Sequence, residues 1–433
     1  MRVRTFVNPV KKQASGVAPR GPGRKAGFVM LGGLLSLAAC AGQETPPPAP
    51  AQVARTPRVG VLLPLSGANA RLGAEMLNGA RLATRAAGSP ELDVRDTAAA
   101  GGATQAAQAA VANGDGILLG PLTGGWTADV APIATAANVP VLAFTSDTTQ
   151  ARPGVWALGI SPEAQVDRLV DAAASEGRQH FAAFLPDNAF GRALAAALRS
   201  ACTRHGLSDP AIVFHLSDPQ DIAARLAGLT DFDARLSRAQ AAQAPAAAPS
   251  AVDPTGAAPT APSPATPPTT APSAPTLDAP PFDALLLGDT GLDLARTIDL
   301  LHTQQVSASH VRLLGPGLWS AFASKLGRIG GAWYAAPDPR ARQTFVQQFL
   351  AAYHHMPTPL ADLSYDSAAL ARALNDGSGV YRVDALTKSN GFAGVDGLFT
   401  LMPDGHVRRR LAVFEIQPTG GAHMVTPGAH NGT

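Results

Sequence analysis

The sequence predicts an α/β protein built of parallel sheets flanked by helices and closed by a C-terminal antiparallel hairpin. Three observations carry this. Short apolar runs alternate with amphipathic stretches of ten or more residues along most of the chain. The run from Arg58 to Ala83, RVGVLLPLSGANARLGAEMLNGARLA, reads as a buried strand, a tight turn and a helix with small residues on one face. Near the end, MPDGHVR separates two strand-like segments. Strands alternating with such helices imply βαβ units and parallel pairing. Right-handed crossovers then place helices on both sheet faces. The 433 residues suffice for two lobes of ordinary domain size.

The elements follow in order. Strands are expected at 59–63, 92–96, 116–119 and 139–144, with helices at 72–86, 103–112 and 127–137 between and after them. The series resumes with a helix at 162–176, a strand at 181–185, a helix at 191–205, a strand at 211–216 and one long helix at 222–238. Residues 239–281 are rich in Ala, Pro and Thr and have few large apolar side chains. Such a composition buries too little surface to order itself, so an insert is expected there. Beyond it come a strand at 282–287, a helix at 292–304, a strand at 311–314, and helices at 340–354 and 364–375. Strands at 397–401 and 409–417 flank Pro403-Asp404-Gly405, a hairpin signal.

The formal net charge of +2 is uneven. Arg2, Arg4, Lys11, Lys12, Arg20, Arg24 and Lys25 precede Cys40 with no Asp or Glu, and removing these seven cations turns +2 into −5. The charge balance therefore gives no reason to expect nucleic acid as a partner. The apolar run 26–39 is short for a membrane span and ends in Leu37-Ala38-Ala39-Cys40. Basic flank, short apolar core and small terminal residues are the pattern of a secretory leader. Small residues before a cysteine resemble the bacterial lipobox. That resemblance implies cleavage before Cys40, lipid on that residue, and membrane attachment through the Pro/Ala-rich tether 40–57. Ala41 and Gly42 follow, and the absence of Asp at the second position favours the inner leaflet of the outer membrane, facing the periplasm. Cys202 lies in an apolar-periodic run and reads as a buried helical thiol.

No signature of catalysis is present. The sequence has no G-x-S-x-G, no H-E-x-x-H and no phosphate loop. His354 and His355 are adjacent on an expected helix, so they diverge and do not chelate together. No metal or cofactor is expected. Arg408-Arg409-Arg410 reads most simply as a solvated edge that deters strand pairing, and more sharply as a contact for an acidic partner. A strand ending in a Ser/Gly turn points backbone N–H groups at a crevice, the usual ligand place in open parallel sheets.

The order of segments resembles type 1 periplasmic-binding proteins of the branched-chain amino-acid-binding kind. The matching segments are VGVLLPLSGANARLGAEMLNGARLA, Asp96-Thr97, ILLGPLTGG, VPVLAF, PDNAFGRALAAALRSA, FDALLLG, RLLGPGLWS and VDGLFTLMPDGHVRRRLAVFEI. Within that group, LLGPGLWS, GGAWYAAPDPRARQTF and PVLAFTSD look most similar to lipoproteins called penicillin-binding protein activators. The resemblance implies lobe one at 57–159 plus 335–390 and lobe two at 160–334 plus 391–424. Between them run three crossovers and a cleft, with a short tail at 425–433.

The resemblance also implies where a ligand would sit. The candidate cleft residues are Ser66, Gly67, Thr123, Gly124, Thr145, Ser146, Asp147, Asp187, Phe190, Asp289 and Gly317. The amino-acid receptors hold a zwitterion between lobe-one hydroxyls and a lobe-two acid. Here the serine position falls on Gly124, the threonine near Asp147, the glutamate on Gly317, and a tyrosine on Phe190. A carboxylate at 147 would repel a substrate carboxylate, and loss of the ammonium's partner removes ~1.5–3 kcal/mol. The expectation is a non-enzymatic, lipid-anchored envelope protein that stimulates a peptidoglycan synthase by contact. The alternative is a solute-binding receptor of an ABC importer holding a small molecule.

Overall fold

The structure is a computed structural model in which residues 57–243 and 275–428 are described. The expected leader 1–39, Cys40, nearly all of the tether, 244–274 of the insert and 429–433 of the tail lie outside the described residues.

The chain opens with β1 (Arg58–Leu63), buried from Val59 onward, a 3-10 turn at Gly67–Asn69 and α1 (Ala70–Ala83). Then come β2 (Glu91–Asp96), α2 (Gly102–Ala112), β3 (Leu118–Leu119), α3 (Gly124–Ala136), β4 (Val141–Ala143) and β5 (Val155–Ala157). These strands form a parallel sheet in the order β2-β1-β3-β4-β5. The second lobe starts at α4 (Pro162–Ser175). Ser161 accepts the Ala164 N–H at 3.1 Å and Pro162 opens the helix, an N-cap followed by a residue with no N–H to satisfy. Next are β6 (Phe181–Pro186), α5 (Ala189–Arg204), β7 (Ala211–His215), α6 (Pro219–Leu229), α7 (Phe232–Gln243), β8 (Ala284–Leu287), α8 (Gly291–Thr303), β9 (Arg312–Gly315) and β10 (Trp333–Ala336). Cys202 is buried in α5, and burial pushes its thiol up to about 11.

The chain then returns to the first lobe. α9 (Pro339–Tyr353) and α10 (Pro359–Ala373) pack on α1, with Tyr353 donating to Asn78 O at 3.0 Å and Arg372 to Ala83 O at 2.6 Å. A short α11 (Val383–Leu386) leads to a three-stranded antiparallel sheet of β11 (Phe392–Gly394), β12 (Gly397–Leu401) and β13 (Val407–Arg409). Finally β14 (Ala412–Ile416) and β15 (Ala422–Thr426) join the second sheet, whose order is β15-β14-β10-β9-β8-β6-β7. In that sheet β14 runs antiparallel to β10, whereas β6 to β10 are mutually parallel. The expected mixed fold, parallel sheets with an antiparallel ending, is thus present.

Three expectations change. The segment 409–417 is not one strand. β13 pairs with β12 across Pro403-Asp404-Gly405, the chain crosses at 410–411, and β14 begins in the other sheet. Residues 392–409, placed by the sequence division in lobe two, instead pack on lobe one: Phe392, Phe399 and Leu401 share a core with Val61, Leu63 and Trp156. The reason is apolar complementarity out of sequence range, fixed by Trp156 Nε1 donating to Met402 O at 2.7 Å. The long helix 222–238 breaks at Asp231, whose φ of 54° is the left-handed region that a short polar side chain tolerates. The break lets Arg235 bury its guanidinium and donate to Asp278 O at 2.7 Å, and it carries helix into 239–243 of the expected insert. Strands β5, β10, β11 and β15 had no sequence counterpart.

Candidate functional site

Both sheets point their carboxyl ends at one gap. The first crossover, 158–161, leaves the end of β5 for α4; the second, 337–338, leaves the end of β10 for α9; the third, 410–411, joins β13 to β14 beside Ala336. Strand ends therefore face the inter-lobe space from both sides, where ligands of open α/β sheets sit.

On the lobe-one rim Ser66 and Gly67 follow β1 and are exposed; Gly67 has φ 68° and open space around it. Ser66 is a hydrogen-bond partner of Asp96, whose Oδ1 also accepts from Leu65 N at 2.8 Å and Ala98 N at 2.9 Å. Burial works against the Asp96 carboxylate, and these bonds outweigh it, holding its pKa below the usual range. Thr123 caps α3 by accepting from Trp126 N at 3.3 Å. Thr145 is buried, and its hydroxyl accepts the Asp147 N–H at 3.0 Å. Ser146 beside it is exposed. Asp147 accepts from Thr149 N at 3.0 Å and from Thr149 Oγ1 at 2.6 Å. A Cβ at Gly124 would collide with Asp147 Oδ2. The missing side chain at 124 and the acid at 147 are one feature: the carboxylate occupies the space that residue 124 leaves free at the start of α3.

The lobe-two rim is pinned from within. Asp187 pairs with Arg192 one turn into α5, and Asn188 caps that helix through Gly191 N at 2.9 Å. Phe190 is half-buried against the second core. The Gly317 N–H donates to Gln165 Oε1 at 2.6 Å. Asp289 is buried: its Oδ2 faces His215 Nε2 at 3.1 Å and accepts from Thr297 at 3.3 Å, while its carbonyl accepts from Trp319 Nε1 at 3.3 Å. His215 Nδ1 lies 3.1 Å from Leu216 O, and Phe184 stacks on the ring at 4.3 Å. Two acceptors flank the ring, so only imidazolium satisfies both. Burial opposes that charge, and the Asp289 hydrogen bond and charge more than offset it, so the His215 pKa is raised.

Apolar side chains stand outside this pinned rim. Leu216, Leu292 and Leu318 follow β7, β8 and β9 and are 58%, 75% and 56% exposed. Sequence reasoning missed them, along with Gln165 and His215. Single leucines after strands carry no signal in the sequence. Trp319 is wholly buried, and Trp126 is partly buried against the α2–α3 core. Among the described residues no group of His, Cys, Asp or Glu is placed to hold a metal ion, and no helix is long and apolar enough to cross a membrane.

A family model described as periplasmic binding protein matches residues 56–422. The chain belongs to that family. Solved structures agree on the fold. Full-length LpoA from Haemophilus influenzae matches with a TM-score of 0.61 at 15% identity, over 87% of this chain and 60% of that one. The chain thus spans about 60% of full-length LpoA. The LpoA C-domain, described as a regulator of PBP1A, matches with a TM-score of 0.58 at 17% identity over 85% of this chain and all (100%) of that one. A branched-chain amino-acid ABC transporter periplasmic ligand-binding protein from Burkholderia xenovorans matches at 0.54 and 17% identity, over 86% and 95% of the two chains. No curated protein matches by sequence. Those structures are described as a regulator and as a ligand-binding protein.

Proposed function

We propose that this chain is a non-enzymatic, lipid-anchored envelope protein that stimulates a peptidoglycan synthase by direct contact; its likeness to the LpoA C-domain, described as a regulator of PBP1A, supports this. The observation that carries this reading is the internal engagement of the rim. The positions an amino-acid receptor would use are occupied by their own neighbours: Asp147 against Gly124 and Thr149, Gln165 on Gly317, Arg192 on Asp187, His215 on Asp289. A zwitterion would find a fixed carboxylate where its own carboxylate belongs. Lipid on Cys40, at the inner leaflet of the outer membrane, would hold the domain within reach of such an enzyme.

Capture of a peptidoglycan synthase by the lipidated protein, with faster glycan polymerisation in its presence, is the expected result. No capture and no change in polymerisation would overturn the reading. The second reading, a solute receptor of an ABC importer, rests on the open backbone at Gly67 and Gly125, where nothing fills the space a side chain would take. Thermal unfolding separates the two, because a ligand at 100 times its Kd adds ~2.7 kcal/mol. Amino acids and amides should leave the melting temperature unchanged if the first reading holds.

A further inference from the structure

The crossovers enclose a second space, distinct from the rims. A cavity of about 1100 Å³ is bounded by α4 and the end of α5 from lobe two, and by the β12–β13 hairpin from lobe one. Its size is that of a small-molecule site. It also touches both ends of the hinge, from Ala157 and Ser161 at the first crossover to Arg410 and Leu411 at the third.

The charged groups of its walls differ in how far they are engaged. On the lobe-two side Arg204 pairs with Asp167 at 2.6 Å and Arg168 with Asp171 at 2.8 Å. At the hairpin tip His406 stands 3.8 Å from Glu163 and 3.3 Å from Asp404. Arg408 and Arg410 line the same cavity, are exposed, and have no side-chain hydrogen bond or ion pair among the described residues. Between them Arg409 is more than nine-tenths buried. It gives Nη2 to Leu158 O at 2.6 Å, while Nε and Nη1 have no partner. Arg408 and Arg410 thus keep their full donor sets beside the hinge, whereas Arg409 is buried and tied to Leu158. Beneath Arg409 lie Asp366 and Asp396, and burial pushes both carboxyls up, Asp366 to about 8.

We propose that this crossover cavity binds a small polyanion, bearing carboxylate or phosphate groups, on Arg408 and Arg410. Guanidinium forks match both groups bidentately. Because one wall belongs to each lobe, an occupant bridging the arginines to α4 fixes the inter-lobe angle. The site stands independently of what the rims contact, so it holds under either functional reading.

The test uses the full chain with citrate and pyrophosphate as probes, at constant ionic strength set by sodium chloride. Calorimetric titration should show saturable binding of at least one probe. Citrate alone identifies carboxylate chemistry, pyrophosphate alone phosphate chemistry, and both together the shared chemistry. Arg408→Ala combined with Arg410→Ala should weaken binding at least about tenfold, with the melting temperature of the free protein unchanged. Arg192→Ala, on the rim, should leave probe binding as it is. Distance measurements between labels on α2 and α6 should narrow to one population when the probe is bound. No saturable binding of either probe, or binding that the double substitution leaves intact, would overturn the proposal.

Discussion

In both lobes a leucine and a proline mark the end of the first strand, Leu63 followed by Pro64 in one and Leu185-Pro186 in the other, and a helix glycine lies against the proline's carbonyl. A Cβ at Gly73 would collide with Pro64 O, and one at Gly191 with Pro186 O. The strand-to-helix joint is the same; what separates its two halves is not. Lobe two turns at once into a helix capped by Asn188, with Asp187 tied to Arg192. Lobe one inserts the exposed 3-10 turn at Gly67–Asn69, whose Ser66 makes no side-chain cap. The close helix–strand approach is therefore the invariant demand of the joint, and the rim chemistry is free to vary around it. Lobe two has a closed rim braced by the His215–Asp289 pair, and lobe one a rim with open backbone.

The largest test of that contrast is His215→Ala. It leaves Asp289 buried without its cation and opens space beside Phe184, so a loss of about 3–5 kcal/mol is expected in urea unfolding; a loss below 1 kcal/mol would show that the brace is idle. Gly73→Ala and Gly191→Ala should each cost about 2–3 kcal/mol, because the colliding atom is backbone and cannot step aside. Unequal costs would break the equivalence of the two joints.

A smaller effect comes from pH. Between pH 4 and about 8 the folded Asp366 keeps a proton that the unfolded chain has released, so stability falls as pH rises through that window. His215 acts in the same direction from about 6.5 upward, since its folded pKa is raised and its contribution is lost as the ring deprotonates. A melting temperature lower by a few degrees at pH 8 than at pH 5 is expected, and Asp366→Asn should flatten the slope. The smallest pair is the sharpest on the rims: Asn188→Ala should cost about 1 kcal/mol through its lost cap, and Ser66→Ala less than about 0.5 kcal/mol.

Much of this was visible in the sequence, for physical reasons. A strand such as FAAFL and a helix opened by Ser161-Pro162 announce themselves through local pattern and capping. The hairpin at Pro403-Asp404-Gly405 does so through turn chemistry. What escaped was set by distance. β5 is three residues long and β10 lies in an aromatic segment, too short for any period. The allegiance of β12 depends on a tryptophan 246 residues earlier. The resemblance singles out Gly124 and Asp147 separately, but the contact that makes them one filled subsite shows only in the structure. The arginine triplet was legible as a cluster, but not its division into two exposed members and one buried tie.

The third crossover has a consequence for how the chain comes to be folded. Lobe one lacks part of its core until Phe399 and Leu401 arrive, and lobe two lacks an edge until β14 pairs with β10. Arg409 reaches Leu158 across 251 positions of sequence. Neither half can finish before residues 399–416 have been delivered, so the lobes are not independent modules made one after the other. A nascent chain halted near residue 390 would hold two open lobes together, and the last stretch to emerge would seal them at nearly the same moment.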